Sequence, residues 1–421
     1  MVKRPPADAV RGRGGMRSRS LLASAIAASV VLLLSTGLVP AVRVSSVAAG
    51  FSFSAAGDAG SWSGFDSSRE ALGRSGSNFF LAMGDLSYGG SSEEHWCREL
   101  KQSFPDAEIL AGNHDVGEVN DTPDNGYPAN INEFVKYCPY TLSSPLTGTY
   151  GKEYFFDYPQ AAPLARFILT GCGLVWLVDN EGEWRCIPGD PHYAFVERSI
   201  DEARAQAIPW VVVVSHKNCI TSGEHSCELG TPFFDLLLDK KVDLIVEGHT
   251  HHYSRSKQLA LNPATCAELV EHSYQPGCVV NDGSDRQYQA GAGSVLVIAG
   301  TFGRAIDAFY PDSPYAPYFA NWMDNSTTGE GKGFVSFDVD QGRIALRTTF
   351  VNATQPFTDS FTIRRPSNAS PLVGTTGFLP WIVLAAIGGG AAIVGFQLKI
   401  RARPKPANGR IVPPRRLPRG K

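Results

Sequence analysis

Five short polar segments, each closing an apolar run, hold the residues of this chain that could do chemistry. They read Gly57-Asp58-Ala59-Gly60, Gly84-Asp85-Leu86-Ser87-Tyr88, Gly112-Asn113-His114-Asp115, Ser215-His216 and Gly248-His249-Thr250-His251-His252. Together they offer carboxylates, imidazoles, one amide oxygen and one phenol. That donor set is too hard for a thiolate zinc finger and too rich in nitrogen for a calcium loop. It suits a pair of catalytic metal ions.

Something must bring these segments together. Runs rich in β-branched and aromatic residues precede them at 51–55, 78–83, 108–111, 210–214 and 244–246, with further runs at 167–178 and 295–299. Several are nearly continuous, as in strands buried on both faces. Helical patterns fall between them at 68–75, 194–207 and 232–239. Strand alternating with helix predicts an α/β layered domain. Segments 333–338, 344–351 and 359–363 read as closing antiparallel strands. Stretches 116–150 and 254–292 are rich in Gly, Pro, Asn and Ser and read as long surface loops near the site. Because ligands of open α/β sheets bind beyond the carboxyl ends of strands, five distant segments would converge on one rim.

Taken singly, each motif has a plain structural alternative. A Gly-Asp pair after a strand is commonly a turn, and Gly112-Asn113 could simply supply positive φ angles. His216, after four valines, could be a satisfied core histidine. The joint occurrence in this order is far more specific. It resembles the calcineurin-like metallophosphoesterase superfamily, and within it the purple acid phosphatases. That pattern runs Gly-Asp-x-Gly, Gly-Asp-x-x-Tyr, Gly-Asn-His-Asp/Glu, an apolar strand then His, and Gly-His-x-His. Tyr88 discriminates, since most of the superfamily has no ligand tyrosine. Gly60 agrees, because relatives outside this branch usually have a metal-binding histidine there. The resemblance spans about residues 51–365 and is closer to the small, single-domain forms.

The resemblance implies a four-layer α/β/β/α sandwich and a set of roles. Asp85 would bridge two ions. Asp58, Tyr88 and His251 would complete one site, favouring Fe(III) through the phenolate. Asn113, His216 and His249 would complete the other around a divalent Fe, Zn or Mn. A bridging hydroxide would attack phosphorus in line. His114 would act as the catalytic residue that steadies the phosphoryl group and protonates the leaving oxygen. Asp115 could hold the His114 ring or serve the turn. The chain departs from the pattern at Lys217-Asn218-Cys219, where plant relatives keep a further substrate-facing histidine nearby. His225 and His252 are the candidates to replace it in contacting substrate. The implied activity is that of an acid phosphatase acting on a small phosphoester. A phosphodiesterase or nucleotide pyrophosphatase of the same superfamily is the alternative, and a surface recognition protein with a vestigial metal site is a third reading.

The ends of the chain suggest an address. Residues 1–49 combine a basic start, an apolar stretch at 21–39 and small residues after it, which reads as a secretory signal or an uncleaved anchor. Residues 50–367 would be the catalytic domain and 368–377 a linker. Residues 378–398 form an apolar span long enough to cross a bilayer, and the tail from Lys399 carries nine basic residues and no acid. The positive-inside rule then puts 399–421 in the cytoplasm and the domain outside a cell membrane.

With residues 1–20 and 399–421 set aside, the remainder holds 23 basic against 40 acidic residues, a formal −17. Such a body argues against nucleic acid as a partner. All eight cysteines lie in the expected outer portion, and an even count there suggests disulfides between sequence neighbours: Cys97–Cys138, Cys172–Cys186, Cys219–Cys227 and Cys266–Cys278. A thiolate metal site around Cys219, His225 and Cys227 is the competing reading.

Overall fold

The computed structural model describes residues 49–60, 62–117, 129–328, 331–353, 355 and 357–366. Two mixed sheets dominate it. In the first, β1 (Phe51–Ala56), β2 (Phe79–Met83) and β3 (Ala107–Leu110) run parallel, and β1 also pairs antiparallel with Lys332–Val339. Beyond that strand lie Arg343–Val351, Ser360–Arg364 and Gln287–Gln289, giving seven strands. In the second, Ala165–Thr170, β4 (Trp210–Ser215), β5 (Leu244–Glu247) and β6 (Ser294–Ala299) are parallel neighbours inside a nine-stranded sheet. Register aligns the ends, with Thr170 and Glu247 both opposite Ser215.

Three apolar layers explain why these residues form these elements. Phe53, Phe79 and Phe337 of the first sheet meet Phe167, Val212 and Val246 of the second between the sheets. Phe53 stacks on Phe79 at 5.5 Å and on Phe337 at 4.7 Å, with the Phe167 edge 4.8 Å away. Each such ring contributes roughly 1.5–3 kcal/mol through burial. The opposite face of β4, Val211 and Val213, packs under α4 (Pro191–Ala205) and α5 (Thr231–Asp239). The valine run is therefore continuous because both its faces are covered. Helices α1 (Ser63–Gly73), α2 (Glu93–Ser103) and α3 (Ile131–Tyr137) cover Phe80, Ala82 and Ile109 of the first sheet in the same way.

Several expectations change. The run at 167–178 is broken by Gly171-Cys172-Gly173, so its strand ends at Thr170 and a small hairpin follows. The stretch at 116–150 contains α3 and the strand Leu146–Thr149, while 254–259 belongs to the strand Tyr253–Leu259 rather than to a loop. That strand reads as polar because Arg255 is buried against Asp359. The expected leader, apart from Ala49, and the span at 378–398 lie outside the described residues. Among the described residues no helix is long and apolar enough to cross a membrane. All eight cysteines pair as sequence neighbours, so Cys219 and Cys227 form a disulfide rather than a thiolate site.

Candidate metal centre

The five polar segments do converge at the strand ends. Asp58 follows β1, Asp85 and Tyr88 follow β2, Asn113 and His114 follow β3, His216 follows β4, and His249 and His251 follow β5. Asp58, Asp85, Tyr88 and His249 hold φ angles of +63°, +53°, +51° and +65°. Non-glycine residues rarely adopt that left-handed region, and four together mark a site where the fold sustains strain for geometry. Close approach is also enforced at Gly112, where a Cβ would lie 2.1 Å from Asp85 Oδ1.

Two donor groups result. The Tyr88 hydroxyl lies 3.0 Å from both Asp58 Oδ1 and His251 Nε2, and those two atoms are 3.3 Å apart. His216 Nε2 lies 3.1 Å from Asn113 Oδ1 and 3.2 Å from Asp85 Oδ1. Asp85, His216 and His249 each bring a ligand atom within 4.8 Å of the others. Asp85 belongs by distance to the second group, and its charge, like that of Asp58, also raises the buried Tyr88 phenol of the first.

The imidazoles are oriented by a common device. His216 Nδ1 donates to the Met83 carbonyl at 2.8 Å, His251 Nδ1 faces Asp307 Oδ2 at 3.0 Å, and His249 Nε2 faces Glu228 Oε2 at 3.1 Å. Each ring thus has one nitrogen engaged by protein and the other left to offer, the arrangement found for metal-ligating histidines. The hard oxygen and nitrogen donors fit two ions.

Residues 54–253 match the family model described as calcineurin-like phosphoesterase. The chain carries a calcineurin-like metallophosphoesterase domain. It is 22% identical over 232 residues to purple acid phosphatase 1 of Ipomoea batatas, covering 49% of this chain and 44% of that protein. It is 26% identical over 259 residues to a probable inactive purple acid phosphatase of Arabidopsis thaliana, covering 57% and 37%. An uncharacterized protein of Mycobacterium tuberculosis is 26% identical over 332 residues, covering 68% and 60%. The chain thus spans less than two thirds of the length of these curated relatives. A purple acid phosphatase from yellow lupin seeds shares the fold, with a TM-score of 0.53 at 18% identity over 76% of this chain and 54% of that one.

Electrostatics of the metallophosphoesterase site follow from burial. Burial alone would raise the Asp58 and Asp85 carboxyls. The charges and hydrogen bonds of His251 and His216 on Asp58, and of His216 and His114 on Asp85, outweigh it and hold both below the ordinary range. Burial, reinforced by those two carboxylates, pushes the Tyr88 phenol well above its usual value. In the metal-free protein burial would lower His251, but Asp307 and Asp58 hold it at about 10. Asp85 similarly lifts His216 to about 8 against burial.

His114 donates its backbone N–H to Asp85 Oδ1 at 3.0 Å, and its ring centre lies 4.4 Å from that of Tyr88. Asp115 serves the turn: its carboxyl accepts from Leu86 N and Gly112 N, and burial with Asp85 nearby raises it to about 8. His225 stacks on His249 with ring centres 3.6 Å apart and faces Glu228 at 3.4 Å, so it does reach the rim. His252 does not. Its fully buried ring sits beside Phe309, where burial lowers it to about 4.

Sequence reasoning missed Glu228 and Asp307, and marked Lys217 and Asn218 only as a departure from the pattern. Lys217 pairs with Glu228 and lies 3.1 Å from His249 Nε2. Asn218 donates to Glu247 and to the Gly248 carbonyl and accepts from Thr250, fastening the Gly248–His251 loop. The acidic residue directly after Cys227, which closes a short cysteine loop that holds His225, was the one available signal.

Proposed function

We propose that this domain is a metal-dependent phosphomonoester hydrolase of the acid phosphatase kind. The observation that carries the reading is the Tyr88 hydroxyl at 3.0 Å from both Asp58 and His251, beside a second set holding Asn113 and His216. Asp58, Tyr88 and His251 would hold Fe(III); Asn113, His216 and His249 would hold a divalent Fe, Zn or Mn; Asp85 would be shared. When bound, such ions supply acidified water and neutralise charge on the phosphoryl oxygens.

The chain's own residues would do the rest. His114, anchored by its backbone to Asp85 yet partly open to solvent, would orient the phosphoryl group and pass a proton to the departing alkoxide as its P–O bond breaks. His225 would contact substrate on the opposite lip, held through Glu228. The four disulfides, with the basic and apolar ends of the chain, support a domain facing an oxidising compartment from a membrane anchor at 378–398.

The test combines metal analysis of the purified full-length chain with turnover of p-nitrophenyl phosphate and its bis ester. Two ions, monoester release, and loss of release by orders of magnitude in Asn113→Ala or His216→Ala are expected. Preference for the bis ester would make the enzyme a phosphodiesterase. Normal turnover in both variants would rule out the two-ion site.

A further inference from the structure

The loop after β6 is fastened to the same segments that supply the Tyr88-side donors. Phe302 N donates to the Gly57 carbonyl at 3.0 Å, and Gly303 N and Arg304 N donate to the Asp58 carbonyl at 3.0 and 2.9 Å. Asp307 N donates to the His251 carbonyl at 2.9 Å. Arg304 is therefore set beside the site by the backbone that builds it. Its guanidinium carbon lies 4.9 Å from the centre of the Trp62 ring and 4.9 Å from that of Tyr88. Trp62 in turn packs against Gly60, where a Cβ would come within 2.0 Å of Trp62 Cζ3. Stacking holds the guanidinium while leaving its N–H edge free to bind.

The charge around it makes this arginine unusual. Lys217 is neutralised by Glu228, Arg166 by Asp157 and Arg255 by Asp359. No carboxylate among the described residues pairs with the Arg304 side chain, which is half-buried. An acidic body has thus placed one uncompensated cation at the lip of its site, on the Tyr88 side. We propose that Arg304, held by Trp62 and Tyr88, is an anion subsite that selects phosphomonoesters bearing a second anionic group. This rests on the phosphatase reading of the neighbouring centre. The planar fork suits a carboxylate or a second phosphate alike, and gives the substrate a fixed orientation.

The test uses n-propyl phosphate and 3-phosphooxypropanoate, in which a carboxylate replaces the terminal methyl. Their dissociation constants are measured by calorimetry on the metal-loaded full-length chain, alongside phosphate release. Wild type should bind the carboxylate ester about tenfold more tightly, the worth of one charge-assisted hydrogen-bonded pair. Arg304→Gln should bring the two within about twofold while leaving propyl phosphate unchanged, and Arg304→Lys should keep part of the preference because it keeps the charge but loses the fork. An unchanged preference in Arg304→Gln, or an equal loss for both esters, overturns the subsite. So does a preference for phenyl over propyl phosphate that survives Arg304→Gln and vanishes in Trp62→Ala, which would make the lip an aromatic platform. Bisphosphates in place of the carboxylate ester separate the two anion chemistries. If neither ester is hydrolysed, the phosphatase reading fails, while the binding preference still reports on Arg304.

Discussion

Glu228 Oε2 lies 3.1 Å from His249 Nε2, and the same carboxylate pairs with Lys217 and faces His225 at 3.4 Å. His225, Glu228 and His249 are close enough to hold an ion of their own. The Lys217 ammonium, 3.1 Å from His249 Nε2, already supplies the positive charge there. The cluster therefore positions groups rather than binding a third metal. Burial would raise Glu228, yet His225, His249 and Lys217 hold it well below the ordinary carboxylate range.

Removing that carboxylate should loosen the divalent ion. Partners that orient a metal-bound imidazole typically account for about 10–100-fold in affinity or activity. Glu228→Ala should lose zinc to a competing chelator correspondingly faster, and Glu228→Asp should recover part of the loss. Equal zinc affinity in wild type and Glu228→Ala would show that His249 needs no such support.

The phenol at Tyr88 makes a spectroscopic prediction. Burial and two carboxylates oppose its ionisation, so only a strongly charged cation could hold it as phenolate. Iron-loaded wild type should absorb broadly in the visible, and Tyr88→Phe should lose that band while retaining the divalent ion. The ring body of Phe fills the same space beside His114, so melting temperature should change little. A band that persists in Tyr88→Phe would assign the colour to another ligand.

How much of this was legible in the sequence depends on how local each signal was. The five donor segments stood out because each follows its strand directly, and the strands showed as apolar runs. The helix Glu93–Ser103 escaped notice because only Trp96, Cys97 and Leu100 are buried along it. Tyr253–Leu259 looked like a loop because its interior side chains include Ser254, Arg255 and Gln258, each satisfied by distant residues or packed away from water. Glu228 and Asp307 were invisible for a related reason. Their partners lie 21 and 56 residues away, and only the sheet order brings them together. His252 is packed inside against Phe309, 57 residues away, and nothing local to His251-His252 announces that burial.

Protonation of the metal-free site sets a pH dependence. His251 near 10 and His216 near 8 are both charged at pH 7, whereas His249, lowered to about 3 by burial and the charges of His216 and Lys217, is not. Zinc loading at pH 7 should therefore release roughly two protons, falling towards one at pH 9. For stability the sign follows from the direction of the shifts. Both folded values exceed the unfolded 6.5, so their contribution is complete below pH 6.5 and is lost as pH rises through 8 and then 10. Each proton released on unfolding costs about 1.4 kcal/mol per pH unit in that window. The melting temperature of the stripped protein should fall across it, and that of the loaded protein should fall less. A stripped protein whose stability rises from pH 6.5 to 10 would contradict the assigned charges.

The Cys219–Cys227 bridge closes a loop of sequence separation 8 that carries His225 and leads directly into Glu228. The loop is further fixed by Ser222, whose hydroxyl donates to the Tyr310 carbonyl at 2.6 Å, and by Glu228 N donating to the Asn218 carbonyl at 2.9 Å. Replacing both cysteines by serine should cost about 2–3 kcal/mol through the freed unfolded chain. It should also loosen Glu228 from His249, so zinc would be lost to a chelator more readily. The Cys266–Cys278 bridge, separation 12, lies in the apolar layer beneath α5 and provides the control. Its double serine variant should lower thermal stability by a similar amount with zinc affinity unchanged. Equal loss of zinc affinity in both variants would mean that the effect is general destabilisation, and that the His225 loop has no special hold on the second ion.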